Sequence, residues 1–126
     1  MLQLTTIFFF IASSVLAVTH IIALTFYLYW QFPWFDVPMH VLGGAVVALG
    51  VLTLYDFRVP IPKRWAKLLP VLSFVLIVAL VWEYYEIFIG IPVEADHLID
   101  TIFDLIAGVV GGVIGHSVGS RIQKLR

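Results

Sequence analysis

Three pairs of ionisable side chains stand at spacings that put both members on one side of a helix. Asp36 and His40 are four residues apart, Glu83 and Glu86 three, and Asp100 and Asp104 four, with His97 three residues before Asp100. Residues three or four apart share a helix face, so each pair aims two ligating or proton-exchanging groups in one direction. Carboxylates joined by one or two imidazoles suit a hard or borderline divalent ion such as Mg²⁺, Mn²⁺, Ca²⁺, Fe²⁺ or Zn²⁺. The same groups can instead carry protons. In a catalytic version of such a site, Glu86 or His40 is the candidate general base. The chain has no cysteine, which excludes thiolate metal sites, disulfides and cysteine nucleophiles, and no Ser-His-Asp grouping is readable.

The elements that must position these pairs belong to a membrane. Of the 126 residues, 62% are hydrophobic and 12% charged, against about 25% charged in soluble domains. With a mean hydropathy of +1.07, the chain lacks the polar surface to cover a water-soluble globule. Residues 1–35 contain no Asp, Glu, Lys or Arg. The small residues from Ser13 to Ala17 resemble a signal-peptide end, but the start carries no positive charge and the apolar run is too long. A retained first span over about 2–29 is the expectation. A second uncharged run ends at Asp56-Phe57-Arg58, followed by Pro60 and Pro62, which read as a loop. The remaining spans are expected at about 37–55, 68–90 and 98–119, giving an all-α four-helix membrane bundle and one domain, 1–126. All seven Lys and Arg fall in the loop between the second and third spans or after the fourth. The positive-inside rule then puts both termini in the cytoplasm of a multi-pass membrane protein.

On this topology Asp36, Glu83, Glu86, Glu94, Asp96, Asp100 and Asp104 lie on the outer side, where no Lys or Arg is available, and only Asp56 lies inside. The uncharged stretch from Leu68 to Trp82 covers about 22 Å, short of a hydrocarbon core of about 30 Å. Glu83 and Glu86 are therefore embedded. Glu83 sits about 10 Å down its helix and Asp104 about 9 Å down the next, so their depths match. Lipid exposure would cost about 2.5–3.5 kcal/mol per charge, so the pairs should face one another in a shared pocket. Five carboxylates there, Asp36, Glu83, Glu86, Asp100 and Asp104, repel one another and lose hydration. Bound protons or a bound cation must compensate them.

Simpler roles compete for several of these residues. Asp36 before Pro38 can cap a helix, and Thr101 with Asp104 matches a capping box. Glu83 and Glu86, near a helix C-terminus, oppose the macrodipole and cap nothing. His97 can be a loop residue, His20 and His116 pair with nothing in sequence, and Glu94 and Asp96 read as solvated loop charges. The fourth span carries Gly108, Gly111, Gly112, Gly115 and Gly119. Such small-residue spacing allows close helix approach, either within the bundle, with Gly43 and Gly44 as partners, or in a homodimer through Gly108, Gly112 and Gly115.

Three stretches resemble the VanZ-like group of small bacterial membrane proteins, and more closely its YjdF-like relatives: Asp36-Val-Pro-Met-His40-Val-Leu-Gly43, Trp82-Glu83-Tyr-Tyr-Glu86, and Asp100-Thr101-Ile-Phe-Asp104-Leu105 with the glycines that follow. The resemblance covers the second to fourth spans. It implies a bacterial multi-pass membrane protein with a shared polar core, without fixing a reaction. Where this chain has Val37 the family commonly has Lys, and where it has Glu86 VanZ has a Gln-like position. Both departures make the site more acidic.

Three functions stay open on the sequence. The outer cluster can bind or transport a divalent cation or protons, although no second acidic cluster marks an inner exit. It can hold a metal that polarises a lipid-linked head group, although no outer Arg or Lys would hold phosphate. Or the buried acids can hydrogen-bond between helices in a structural bundle that supports a partner, at only about 0.6 kcal/mol per bond. The expected cofactor is a divalent metal ion, with no other cofactor site. The expected partners are the lipid bilayer and a lipid-linked or small ionic substrate. Nucleic-acid binding has no support, since anionic lipid accounts for the basic residues.

Overall fold

In lipid every backbone polar group must be satisfied internally, which leaves uncharged runs of this length one choice, the helix. A computed structural model describes residues 3–91 and 96–124. It contains α1 (Leu4–Thr25), α2 (Asp36–Asp56), α3 (Leu68–Ile89) and α4 (His97–Lys124), with short helical turns at Leu28–Gln31, Pro33–Phe35 and Lys63–Ala66. Among the described residues these four helices are long and apolar enough to cross a membrane. Large side chains such as Ile11, Ile21, Leu69, Val81, Phe88 and Phe103 lie on the outside, where hydrocarbon is their solvent.

Two boundaries differ from the sequence reading. The first span does not run unbroken to residue 29: α1 ends at Thr25, and Tyr27 takes a left-handed conformation (φ 55°) before the turn at Leu28–Gln31. That conformation costs a residue with a Cβ about 1–2 kcal/mol, and the Tyr27 and Trp30 rings, 5.5 Å apart, pack across the break. The fourth span does not stop near Gly119 but continues to Lys124, where Arg121 and Lys124 occupy a last turn that favours cations. The end of α3 matches expectation. Gly90 adopts φ 77°, and the Ile91 N–H donates to the Glu86 carbonyl at 3.0 Å, closing the helix.

α2 is the hub, packed against α1, α3 and α4. Its contact with α4 is backbone to backbone. A Cβ on Gly44 would collide with the carbonyl of Gly108, one on Gly111 with Val41, and one on Gly115 with Ala45. The glycine stripe is thus filled from within the chain, and a dimer seam through Gly108, Gly112 and Gly115 would need the same surface. α3 meets this pair through Ala79 against Gly108 and Val75 against Gly112. Ala48, Val71 and Val75 form one core cluster, and Ala23, Tyr29, Met39 and Ile91 form a second toward the acid-bearing end. At the opposite end Thr6 donates to Asp56 at 2.9 Å, and Gln123 donates to the Leu52 carbonyl at 3.1 Å, joining α1, α2 and α4.

This packing makes a direct prediction. Gly111→Ala should destabilise the bundle by about 1–3 kcal/mol through forced separation of α2 and α4. Gly43→Ala, whose Cβ would meet nothing within 4 Å, should leave the melting temperature unchanged or slightly raised, because Ala is the better helix former. Thermal unfolding of both variants in one detergent checks the contrast.

Candidate functional site

α2 and α4 run in the same direction from the acid-bearing end, so their glycine register carries upward turn by turn. Gly44 lies against Gly108; one turn earlier on each helix His40 lies opposite Asp104, and one turn before that stands Asp36. α3 runs the other way, and one turn beyond Ala79 it presents Glu83. The close backbone contact is therefore what brings groups from three helices to a common point.

That point is the His40 Nε2 atom. It lies 3.5 Å from Asp36 Oδ2, 3.5 Å from Glu83 Oε1, 3.8 Å from Glu86 Oε2 and 4.0 Å from Asp104 Oδ1. His40, Glu83, Glu86 and Asp104 are all buried, and Asp36 is half-buried. Two ligands each about 2.1 Å from one ion are about 3.4 Å apart at tetrahedral angles and about 4.2 Å apart when opposite. The observed separations from Nε2 fall within that range. Two overlapping groups have ligand atoms within 4.8 Å of one another: Asp36, His40 and Asp104; and His40, Glu83 and Glu86. Both groups use His40, so they are alternatives for a single ion, whose shell the remaining carboxylates would complete or flank.

Both glutamates are held from behind. The Trp82 indole N–H donates to Glu86 Oε1 at 2.6 Å, and the Thr101 hydroxyl donates to Glu83 Oε2 at 2.9 Å. Each glutamate thus spends one oxygen on an orienting donor and turns the other toward His40. Such partners fix ligand direction and tune basicity. Within the cluster, Asp36 Oδ1, His40 Nε2, Glu83 Oε1 and Asp104 Oδ2 are buried with no hydrogen-bond partner, although Asp36 and Asp104 turn their other oxygens toward His40. Buried polar atoms are nearly always satisfied, so these four mark a place where something polar belongs.

A neighbouring aromatic group borders the site. His20 Nδ1 lies 2.8 Å from the Tyr29 hydroxyl and His20 Nε2 3.1 Å from that of Tyr85. A neutral imidazole has one donor and one acceptor nitrogen, so one tyrosine accepts and the other donates. Burial, with Asp36 and Glu86 nearby, holds the Tyr29 phenol above its usual range, keeping it a neutral hydroxyl. His20 also packs edge-on against Trp82, ring centres 5.0 Å apart.

The structure sorts the candidates. Asp36, His40, Glu83, Glu86 and Asp104 converge. Asp100 is half-buried one turn away and supplies no ligand atom to either group; His97 is exposed at the helix start. The capping roles do not hold. Asp36 makes no side-chain cap bond, and Thr101 lies inside a helix that already begins at His97. Asp96 lies at that start, where its carboxyl accepts from the Ile99 N–H at 3.4 Å, and Glu94 lies outside the described residues. His20, read as unpaired, has two tyrosine partners, and His116 lies 2.8 Å from the Ala66 carbonyl, which its Nε2–H reaches as donor. Trp82 and Thr101 are the participants that sequence reasoning missed. Trp82 precedes Glu86 by four, a helix-face spacing that was readable, whereas the bond from Thr101 to Glu83 joins two helices and left no local signal.

A family model described as Predicted membrane protein (DUF2238) matches residues 2–125. No curated protein and no solved structure matches the chain.

Proposed function

We propose that this chain, which belongs to the DUF2238 family of predicted membrane proteins, works by holding a divalent cation at His40 inside the membrane. The observation that carries this reading is the convergence of four carboxylate oxygens within 4.0 Å of one unpartnered imidazole nitrogen. A divalent ion offsets two of the four negative charges. Protons or a second ion must answer the rest, since burying unpaired charge costs several kcal/mol per group. The mixed nitrogen and oxygen donors favour Mn²⁺, Fe²⁺ or Zn²⁺ over ions that take oxygen alone. At the other end of the bundle Asp56 is engaged by Thr6 and Gln123, so the described residues offer one ligand cluster, at one end. That asymmetry suits a resident ion better than one passed across the bundle.

A second reading, in which the ion acts as a Lewis acid on a lipid-linked head group, is favoured by the apolar cavity that adjoins His40 and Trp82. Equilibrium dialysis of the detergent-purified chain against Mn²⁺ or Zn²⁺ tests the cation site common to both. One ion per chain is expected, and the Glu83→Gln, Glu86→Gln double variant should retain none while staying folded.

A further inference from the structure

Directly beneath the carboxylates lies a cavity of about 170 Å³. Leu16, Gly43, Val47 and Val75 contribute to its walls, and His40 and Trp82 line its end nearest the carboxylates. From His40 to Val47 on α2, and from Trp82 to Val75 on α3, the slot descends about 10 Å along both helices. It therefore runs lengthwise from the ion site toward the middle of the bilayer, parallel to a lipid chain. Its walls below His40 and Trp82 are aliphatic or glycine, so a water there would lack the two to four polar partners it needs. A cavity of about 150 Å³ accepts benzene, so this one has room for a hydrocarbon segment of about six carbons. Gly43 lines it, and a Cβ at that position would meet nothing within 4 Å.

We propose that this slot seats the acyl chain of a lipid from the leaflet at the acid-bearing end, with the head group at the His40 site. At this depth hydrocarbon is the surrounding solvent, the slot has the polarity and direction of a chain, and its polar edge, at His40 and Trp82, is the one a head group would reach. The seat for the chain stands on the cavity alone; the contact of the head group with an ion rests on the function proposed above. The substrate class of the site is then a lipid, held by its chain and addressed at its head.

The test places the full chain in phosphatidylcholine nanodiscs doped with phosphatidylglycerol that carries a diazirine midway along one acyl chain. After irradiation, adducts are mapped by peptide mass spectrometry. Adducts on the slot residues should exceed, several-fold, those on the lipid-facing residues Phe103 and Ile106, and should fall to that background in Gly43→Leu. Val78→Phe, from another wall of the same cavity, should act the same way and serves if Gly43→Leu does not fold. Both variants should still bind one Mn²⁺ or Zn²⁺ ion. Slot adducts no more abundant than those on Phe103 and Ile106, or unchanged by both filling variants, would overturn the proposal. Loss of the cation reading would show separately, as no ion bound by the parent with the adduct pattern intact.

Discussion

Mn²⁺ or Zn²⁺ at about 100 times its dissociation constant is expected to stabilise the folded chain by about 2.7 kcal/mol, and His40→Gln is expected to abolish that gain. The parent without an ion holds four carboxylates around one imidazole, with four buried polar atoms of this cluster unpartnered. An ion at Nε2 offsets two of the four charges and gives the imidazole nitrogen and the carboxylate oxygens facing it a partner, so binding energy becomes folding energy. His40→Gln deletes the nitrogen common to both ligand groups. If the imidazole were instead a cation that neutralises the acids by itself, divalent ions would leave the parent's melting temperature unmoved and His40→Gln would lower it sharply. Thermal unfolding of both proteins, with and without the ion and at constant ionic strength, separates the two.

The second large effect is expected one layer back from the ligands. Trp82→Phe keeps an aromatic ring but removes the donor 2.6 Å from Glu86 Oε1. Glu86 can then rotate away from His40 or leave that oxygen buried without a partner. Loss of such an orienting bond lowers metal affinity about 10–100-fold, with one ion still bound at saturation. Thr101→Val should do the same through Glu83. Titration of each variant with Zn²⁺ checks this. Affinities equal to the parent's would mean that the glutamates are not positioned as ligands.

Most of this site was legible because its signals are local. A carboxylate and a histidine four apart, or two glutamates three apart, declare a shared helix face without any tertiary knowledge, and the missing basic partners follow from where the seven Lys and Arg fall. Equal depth of Glu83 and Asp104 followed from helical rise alone. The order of contact did not. That Gly44 meets Gly108, and so sets His40 against Asp104, depends on the register between two helices, which periodicity does not encode. Asp100 shows the same limit: it has the right spacing to Asp104, yet it supplies no ligand atom to either group. The break at Tyr27 was invisible for another reason, because neither glycine, proline nor charge marks it and packing between rings holds a costly backbone angle. His20 was misread as unpaired because its partners, Tyr29 and Tyr85, are nine and sixty-five residues away.

The number of divalent ions held per chain is the most direct test of a cation site at His40. After exhaustive dialysis of the folded, detergent-purified protein, one Mn²⁺ or Zn²⁺ per chain is expected in the parent and none in the folded Glu83→Gln, Glu86→Gln variant. A parent that binds no ion at millimolar concentrations, or a double variant that binds as well as the parent, would contradict it.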